Sequence, residues 1–141
     1  MSTLFGPVIQ QGYVVNDIDL AMQHWLARGV GPFFVEHLSG FDGLVGDSMV
    51  KLELVAAFAY SGDQQIEVIE PRDDKDTIYN RYLKENPNGG LQHVAVWVDN
   101  IDAKLAELTN ANAPYEVKQR YGDGHAYIDS VEYPGVMIPL M

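Results

Sequence analysis

The fold is decided by the stretch Gln10-Gln-Gly-Tyr-Val-Val-Asn-Asp-Ile-Asp19, which recurs in weaker form as His93-Val-Ala-Val-Trp-Val-Asp-Asn-Ile-Asp102. In both copies a β-rich run leads directly into Asn and Asp residues that are suited to cap a helix. Later segments align as well, since Ile66-Glu-Val68 matches Ile138-Pro-Leu140. Two alignments in the same order indicate an internal duplication.

Apolar periodicity predicts a strand, a helix and three further strands in each half of the chain. Module one spans about residues 8–71, a polar linker with room for one short helix covers 72–90, and module two spans about 91–141. We expect a single domain over residues 1–141. The glycine-rich segment Ser39–Asp47 is predicted to be a loop. The predicted fold class is α+β, with two tandem βαβββ modules forming a curled mixed sheet around a cup.

A Gly-Asp dipeptide between two strand-like runs predicts a hairpin with a two-residue turn. This turn places Phe58 and Tyr60 on the same sheet face as Glu67. By the same alternation, Trp97 shares a face with His93. We therefore expect Phe58, Tyr60 and Trp97 to line the cup as a substrate pocket, with core packing as the alternative role of Phe58 and Trp97.

The composition disfavours several classes of protein. Nine Lys and Arg residues against 20 Asp and Glu give a net charge of -11, which is unsuited to nucleic acid or to an anionic membrane surface. An apolar share of 47% excludes a mainly disordered chain, and the lack of cysteine excludes disulfides and thiolate chemistry. Without a signal-like N-terminus or a long apolar run, we expect a cytoplasmic protein whose partner is a small molecule.

Four short motifs follow one another along the chain, namely Gln10–Asp19, Ile66–Pro71, Leu91–Asp99 and Pro134–Ile138. In this order and spacing they resemble the vicinal oxygen chelate superfamily of glyoxalases, bleomycin-resistance proteins and dioxygenases. The segment Gly-Val-Gly-Pro-Phe-Phe at 29–34 resembles its methylmalonyl-CoA epimerase-like branch. The resemblance implies a homodimer and a divalent metal ion at the floor of the cup, with Mn, Co, Ni, Zn, Mg and Fe all open.

Carried over by position, the four metal ligands of that superfamily fall on Gln10, Glu67, His93 and Pro139. The first three offer oxygen or imidazole nitrogen donors. Pro139 offers none and stands where the superfamily has a carboxylate that also serves as a catalytic base, so Glu67 is left as the candidate base. The simpler interpretation is a strand histidine, His93, that pairs with Glu67 and binds no metal.

One further strand carries His125, Tyr127 and Asp129 on a single face, so that this face borders either the cup or solvent. If it borders the cup, His125 or Tyr127 can replace the missing base. The candidate catalytic residues are therefore Glu67, Tyr127 and His125.

The resemblance implies a metal-assisted lyase or isomerase/epimerase of glyoxalase type, which removes a proton alpha to the carbonyl of a small oxo-acid or acyl thioester. Pro139 and the aromatic content favour the alternative of a metal-free small-molecule binding protein of the bleomycin-resistance type. An extradiol dioxygenase fits less well, because such iron sites use two histidines and one carboxylate. Of the carried-over ligands, only His93 is a histidine. The sequence by itself leaves open whether the protein is an enzyme.

Overall fold

The computed structural model describes residues 4–113, 115–130 and 136–141. Its elements are β1 (Val8–Val14), α1 (Ile18–Leu26), β2 (Phe34–Val45), β3 (Ser48–Ser61), β4 (Gln64–Pro71), α2 (Ile78–Glu85), β5 (Gly90–Val96), α3 (Ile101–Asn110), β6 (Tyr115–Tyr121), β7 (His125–Ser130) and β8 (Ile138–Leu140). The predicted α+β class with two βαβββ modules is confirmed. Pro134 and Gly135 of the fourth motif lie outside the described residues.

The strands of the two modules close into one barrel in the order β1-β4-β3-β2-β6-β7-β8-β5. Within each module the first and last strands pair in parallel, β1 with β4 and β5 with β8, while the remaining pairs are antiparallel. The modules join through antiparallel pairing of β1 with β5 and of β2 with β6. Closure pairs the strand edges of each module with those of the other and encloses the cup.

The helices of the duplicated motif begin at the expected caps. The Asp17 side chain accepts a hydrogen bond from the backbone N–H of Leu20 (3.1 Å), and the Asn100 side chain accepts one from Ala103 (2.7 Å). Each cap satisfies a backbone donor that the first helical turn leaves without an intrahelical partner. The same short sequence signal therefore sets the start of both helices.

The two helices cover the outer faces of their own modules. Ile18 of α1 packs in a buried cluster with Val68. Leu105 and Leu108 of α3 pack with Ile128 on the other side of the barrel. Because strand side chains alternate between faces, the opposite faces of these strands point into the barrel.

The segment predicted as a loop, residues 39–47, is mostly strand, so that prediction is wrong. β2 continues to Val45, which pairs with Ser48 across a turn at residues 46 and 47. Its pairing with β3 shifts register only around Gly40, whose φ of +65° marks a bulge that suits glycine. These glycines shape a long hairpin, and composition alone does not separate that case from a loop.

The β3–β4 hairpin has the predicted register. Ser61 pairs with Gln64 across a two-residue turn, and Phe58 pairs with Glu67. One slipped residue would have moved every side chain of β4 to the other face. The turn chemistry therefore decides that Glu67 faces the interior of the barrel.

The linker between the modules contributes to the core. Its helix α2 is capped by Thr77, whose side chain accepts a hydrogen bond from the N–H of Asn80 (3.3 Å). Ile78 and Tyr79 are buried with Val14 on the face away from α1. Across the described ranges, no helix has the length and apolar character needed to cross a lipid bilayer.

Candidate active site

A cavity of about 360 Å³ lies on the inner face of the barrel. Its apolar wall includes Leu38, Phe41, Leu54, Phe58 and Ile69. Its polar lining includes Gln10, Glu36, Gln65, Glu67, Tyr79, Tyr121, His125 and Tyr127. Many of the residues predicted from the sequence to form the site therefore share one cavity.

His93 lies beneath this lining and is 0% exposed. Its Nε2 atom is 3.0 Å from Glu67 Oε2 and 3.1 Å from Gln10 Oε1. Its Nδ1 atom is 2.8 Å from Gln92 Oε1. The three residues predicted as metal ligands thus converge on a single point at the floor of the cavity.

Gly12 of β1 makes this arrangement possible. A Cβ atom at position 12 would lie 1.9 Å from Cε1 of the His93 ring. The imidazole therefore lies directly against the β1 backbone, where any side chain would displace it. This close approach explains why the first copy of the duplicated motif has glycine at this position.

Hydrogen bonds fix the orientation of the two amides beside His93. Gln10 Nε2 donates to Gln65 Oε1 (2.7 Å), which turns Gln10 Oε1 towards the imidazole. Gln92 Nε2 donates to the backbone carbonyl of Ile78 (3.3 Å), which turns Gln92 Oε1 towards Nδ1. Both ring nitrogens consequently face oxygen atoms that only accept hydrogen bonds.

The neutral imidazole has one N–H, so one of its two nitrogens faces accepting oxygen atoms without a proton between them. When the N–H is on Nδ1 and is donated to Gln92 Oε1, the bare Nε2 atom faces Gln10 Oε1 and Glu67 Oε2, and these three atoms can hold a metal ion. The Nε2–oxygen separations of 3.0 and 3.1 Å also match neighbouring ligands of a cation with bonds of about 2.1 Å.

In the donor types that they present, these residues fit a divalent cation. His93 Nε2, Glu67 Oε2 and Gln10 Oε1 would hold it, with no fourth donor from the buried Pro139. In the described part of the chain, no group of three or more His, Cys, Asp or Glu side chains is arranged to bind a metal ion, and this site is no exception because it has only two such residues. The third donor, Gln10 Oε1, is an uncharged amide oxygen, so the three predicted ligands carry less negative charge than those of a carboxylate-rich site.

Three phenol groups form a second polar group in the cavity, which we call the tyrosine cluster (Tyr79, Tyr121 and Tyr127). The hydroxyl of Tyr79 lies 2.6 Å from that of Tyr121 and 3.2 Å from that of Tyr127. The Gln119 amide donates to the Tyr121 hydroxyl. Tyr127 pairs in register with Pro139 and its ring lies edge-on to His93 at 5.4 Å. The cluster therefore lies beside the position where the superfamily has a carboxylate.

Burial controls the protonation of this side of the cavity. Desolvation raises the pKa of Tyr79 and Tyr127 well above 10 and raises the pKa of Tyr121 to about 12. All three phenols are therefore hydrogen-bond donors at neutral pH, and we assign Tyr127 a donor role in preference to that of a base. Burial lowers the pKa of His125, which keeps this imidazole neutral and able to accept a proton.

The three aromatic residues predicted to line the cup lie in different places. Phe58 lines the cavity. Tyr60 is 60% exposed, and its hydroxyl accepts a hydrogen bond from Gln65 (3.3 Å) beyond the lining. Trp97 is 66% exposed and lies outside the cavity, because β5 ends at Val96 and the strand alternation does not extend further.

The sequence did not point to several residues that the fold brings to the site. Glu36, Tyr79 and Tyr121 line the cavity, and Gln92 positions His93. The alternation that selected His125 also predicts an inward-facing Tyr121 once the β6–β7 register is known. Tyr79 lies in the linker helix, where no repeat or strand pattern indicates a role in the site.

Residues 9–128 match the Glyoxalase/Bleomycin resistance protein/Dioxygenase superfamily. The chain belongs to this superfamily. The match spans both modules and all three convergent donors, in agreement with the resemblance found in the sequence motifs. Members of this superfamily commonly use divalent metal ions. No functionally curated protein matches the chain.

Solved structures with the same fold include methylmalonyl-CoA epimerases. The enzyme from Mycobacterium tuberculosis is 19% identical with a TM-score of 0.65, over 99% of this chain and 90% of that chain. A variant of the Streptomyces coelicolor enzyme in complex with 2-nitronate-propionyl-CoA is 18% identical with a TM-score of 0.62, over 96% and 93%. A hypothetical protein from Bacillus halodurans C-125 is 17% identical with a TM-score of 0.66, over 95% and 91%. At sequence identities of 17–19%, these similarities show that the fold is shared and nothing further.

Proposed function

We propose that this superfamily member is a metal-assisted lyase or isomerase/epimerase of glyoxalase type, which removes a proton alpha to a carbonyl group of a small oxo compound or acyl thioester. One observation carries the proposal. Gln10 Oε1 and Glu67 Oε2 converge within 3.1 Å of His93 Nε2 at the floor of the cavity. The epimerases among the solved structures of the same fold support the reaction class.

Each group of the site has a part in this chemistry. Gln10, Glu67 and His93 would hold a divalent cation, which when bound supplies Lewis-acid stabilisation of negative charge on the substrate oxygens. Glu67 lines the cavity and accepts the alpha proton. His125, which is neutral near pH 7, is the second group able to accept or return a proton. The phenol donors stabilise a developing oxyanion.

Pro139 limits the forms that the reaction can take. A reaction with two carboxylate bases places one on each side of the reacting carbon, and position 139 offers no carboxylate. Glu67 and His125 are therefore the proton-accepting pair on this inner face. We assign Glu67 the first proton transfer because it lies directly beside His93 Nε2.

The test is uptake of solvent deuterium at the alpha carbon across a panel of 2-oxo compounds and acyl thioesters, combined with elemental analysis of the purified protein. Glu67→Gln is expected to lower exchange by roughly 10²- to 10⁴-fold, the usual contribution of a general base, and to reduce bound metal. Glu85→Gln is the matched control, because Glu85 lies on the exposed face of α2. Absence of exchange with every compound at high protein concentration would refute the proposal.

A metal-free binding protein is the second candidate function. The apolar wall and the buried Pro139 favour it, since such a cavity can hold an aromatic ligand without ionic contacts. Its signature is ligand-dependent thermal stabilisation that a chelator does not change. Stabilisation that disappears with the metal would eliminate this candidate.

We also propose that the protein is a cytoplasmic homodimer built from single-domain chains. The lack of cysteine is in keeping with the reducing environment of the cytoplasm. Large apolar side chains that are exposed in the single chain, such as Phe34 (68%) and Met49 (65%), support the dimer. Sedimentation velocity over a wide concentration range tests it. A single species with the mass of one chain at all concentrations would contradict the dimer.

A further inference from the structure

The cavity contains negative charge without a compensating side-chain cation. The buried Glu67 (8% exposed) lines its interior, and Glu36, which is exposed to solvent, lines it as well. All nine Lys and Arg residues of the chain lie in its described part, and none of them lines the cavity. Six of them form ion pairs outside it: Lys51, Arg72, Arg81, Lys104, Lys118 and Arg120. A carboxylate on a ligand would therefore meet two like charges and no cationic side chain.

A bound metal ion does not reverse this balance. A divalent ion held by Glu67 contributes two positive charges, and the two glutamates contribute two negative ones. The formal sum is zero, so Glu36 offsets part of the attraction that the ion would exert on an anionic ligand. Because part of the cavity wall is apolar, such a ligand also loses hydration along that part of the wall.

The polar groups that remain are neutral hydrogen-bond donors. The tyrosine cluster has three hydroxyl protons, and its two internal contacts use two of them. One phenol proton is left over. Tyr79 donates its proton to Tyr127, so the contact between Tyr79 and Tyr121 uses the Tyr121 proton, and the Tyr127 proton is the one left over. Tyr127 lines the cavity, so this proton suits a neutral carbonyl oxygen of a ligand.

We propose that this site selects substrates whose reacting end is uncharged, namely a ketone, ester or thioester that has no carboxylate on the reactive carbon. The inference rests on the proposed function and narrows its substrate class. The acid form of a malonyl-type thioester is disfavoured, whereas the same compound with its carboxylate masked is accepted. The determining residues are Glu36 and Glu67 together with the tyrosine cluster.

The test compares two compounds that differ in one charge: the N-acetylcysteamine thioester of methylmalonate and its methyl ester. Binding is measured by calorimetry on the metal-loaded and the metal-free protein, and deuterium uptake at the alpha carbon is measured by mass spectrometry with subtraction of the uncatalysed rate. The ester is expected to bind about tenfold more tightly than the acid, a ratio set by charge repulsion inside a partly desolvated cavity. Equal binding, or tighter binding of the acid, would overturn the inference.

A matched pair of variants assigns the preference to the cavity. Glu36→Gln removes one lining charge and is expected to narrow the ester-to-acid binding ratio by about threefold. Glu85→Gln removes the same charge from the exposed face of α2 and is expected to leave the ratio unchanged. If Glu36→Gln leaves the ratio unchanged, or both variants narrow it equally, the assignment to the cavity is wrong.

The outcomes separate this inference from the proposed function. Preferential binding of the ester without deuterium uptake would refute proton abstraction on this panel and leave the charge selection intact. Uptake with both compounds at equal kcat/KM would support proton abstraction and refute the selection. If neither compound binds, the inferred substrate class is wrong.

Discussion

His93 is held at the floor of the cavity by oxygen atoms on both sides of its ring. Rotation of either neighbouring amide would break a hydrogen bond, because the N–H group of Gln10 is donated to Gln65 and that of Gln92 to Ile78. His93 therefore reports on the state of the cavity floor. Its Nε2 atom either makes a hydrogen bond with Glu67 or coordinates a metal ion. Elemental analysis of the native protein distinguishes these two states directly.

His125 gives a pH dependence whose direction can be worked out. Burial lowers its pKa below 6.5, the nearby Glu67 opposes this shift, and His93 adds to it. The unfolded chain therefore binds a proton more readily than the folded protein, so stability is full above about pH 6.5 and falls as the pH decreases through the lower folded-state pKa. We expect His125→Gln to reduce the loss of unfolding free energy between pH 7 and pH 5 in urea titrations.

The exposed His37 provides the control for this experiment. His37→Gln removes a histidine of the same chain without changing the cavity. It is expected to keep the wild-type dependence of stability on pH. A His125→Gln protein with the same pH slope as wild type would show that this residue does not carry the effect.

At the scale of secondary-structure elements, the site depends on the seam where β1 meets β5 and β4. β1 pairs with both strands, so Gly12 lies opposite His93 on one side and opposite Glu67 on the other. This double pairing brings together residues from both modules. At this seam Gly12 has no side chain, and the His93 imidazole occupies the space that a side chain would take.

Gly12→Ala tests the seam directly. The added Cβ would lie 1.9 Å from the His93 ring, so the ring or the strand must move. We expect a loss of roughly 1–3 kcal/mol in unfolding free energy, the usual cost of overpacking, together with loss of the proposed metal ion. Thermal or urea unfolding and elemental analysis are the measurements.

Gly6→Ala is the control for this change, because nothing lies within 4 Å of a Cβ built at Gly6. It is expected to remain close to wild type in both stability and metal content. A Gly12→Ala protein with wild-type stability and metal content would mean that His93 is not confined against β1.

At the scale of the whole molecule, closure of the barrel ties the two modules together. Each module supplies four consecutive strands of the barrel, and both seams between the modules are β pairings. An isolated module would expose two unpaired strand edges. We therefore propose that the modules unfold together as one domain.

Leu108→Ala tests this cooperativity by a change in module two whose effect is measured in module one. Leu108 is 2% exposed and packs in module two, whereas Trp25 packs in module one. In a Trp97→Phe background, Trp25 is the single tryptophan and reports on module one. The truncation is expected to cost about 2–5 kcal/mol and to lower the urea midpoint seen by Trp25 fluorescence.

If the modules unfolded independently, the urea midpoint seen by Trp25 fluorescence would keep the value that it has without the Leu108 change. Circular dichroism would then show a separate transition at lower urea concentration. Such a separation would contradict the single domain proposed over residues 1–141. Leu20→Ala is the control, because Leu20 is 62% exposed on α1 and its truncation leaves no buried cavity.

The amino-acid sequence by itself determined the features that depend on short-range pattern. The duplicated caps at Asp17 and Asn100 set the helix starts, and the two-residue turn set the register that directs Glu67 inwards. Strand alternation and the internal repeat were enough for the α+β class. These signals are readable because side-chain direction along a helix or strand follows a fixed period.

Only the tertiary structure decided which distant residues meet. Tyr79 lines the cavity from the linker helix, and Trp97 lies outside the cavity, beyond the end of β5. The two amides beside His93 are oriented by hydrogen-bond partners elsewhere in the chain. The physical reason is that barrel closure pairs strands far apart in sequence. Local periodicity sets the direction of a side chain along its own strand, but the neighbours of that side chain come from strands and helices whose positions depend on the packing of the whole chain.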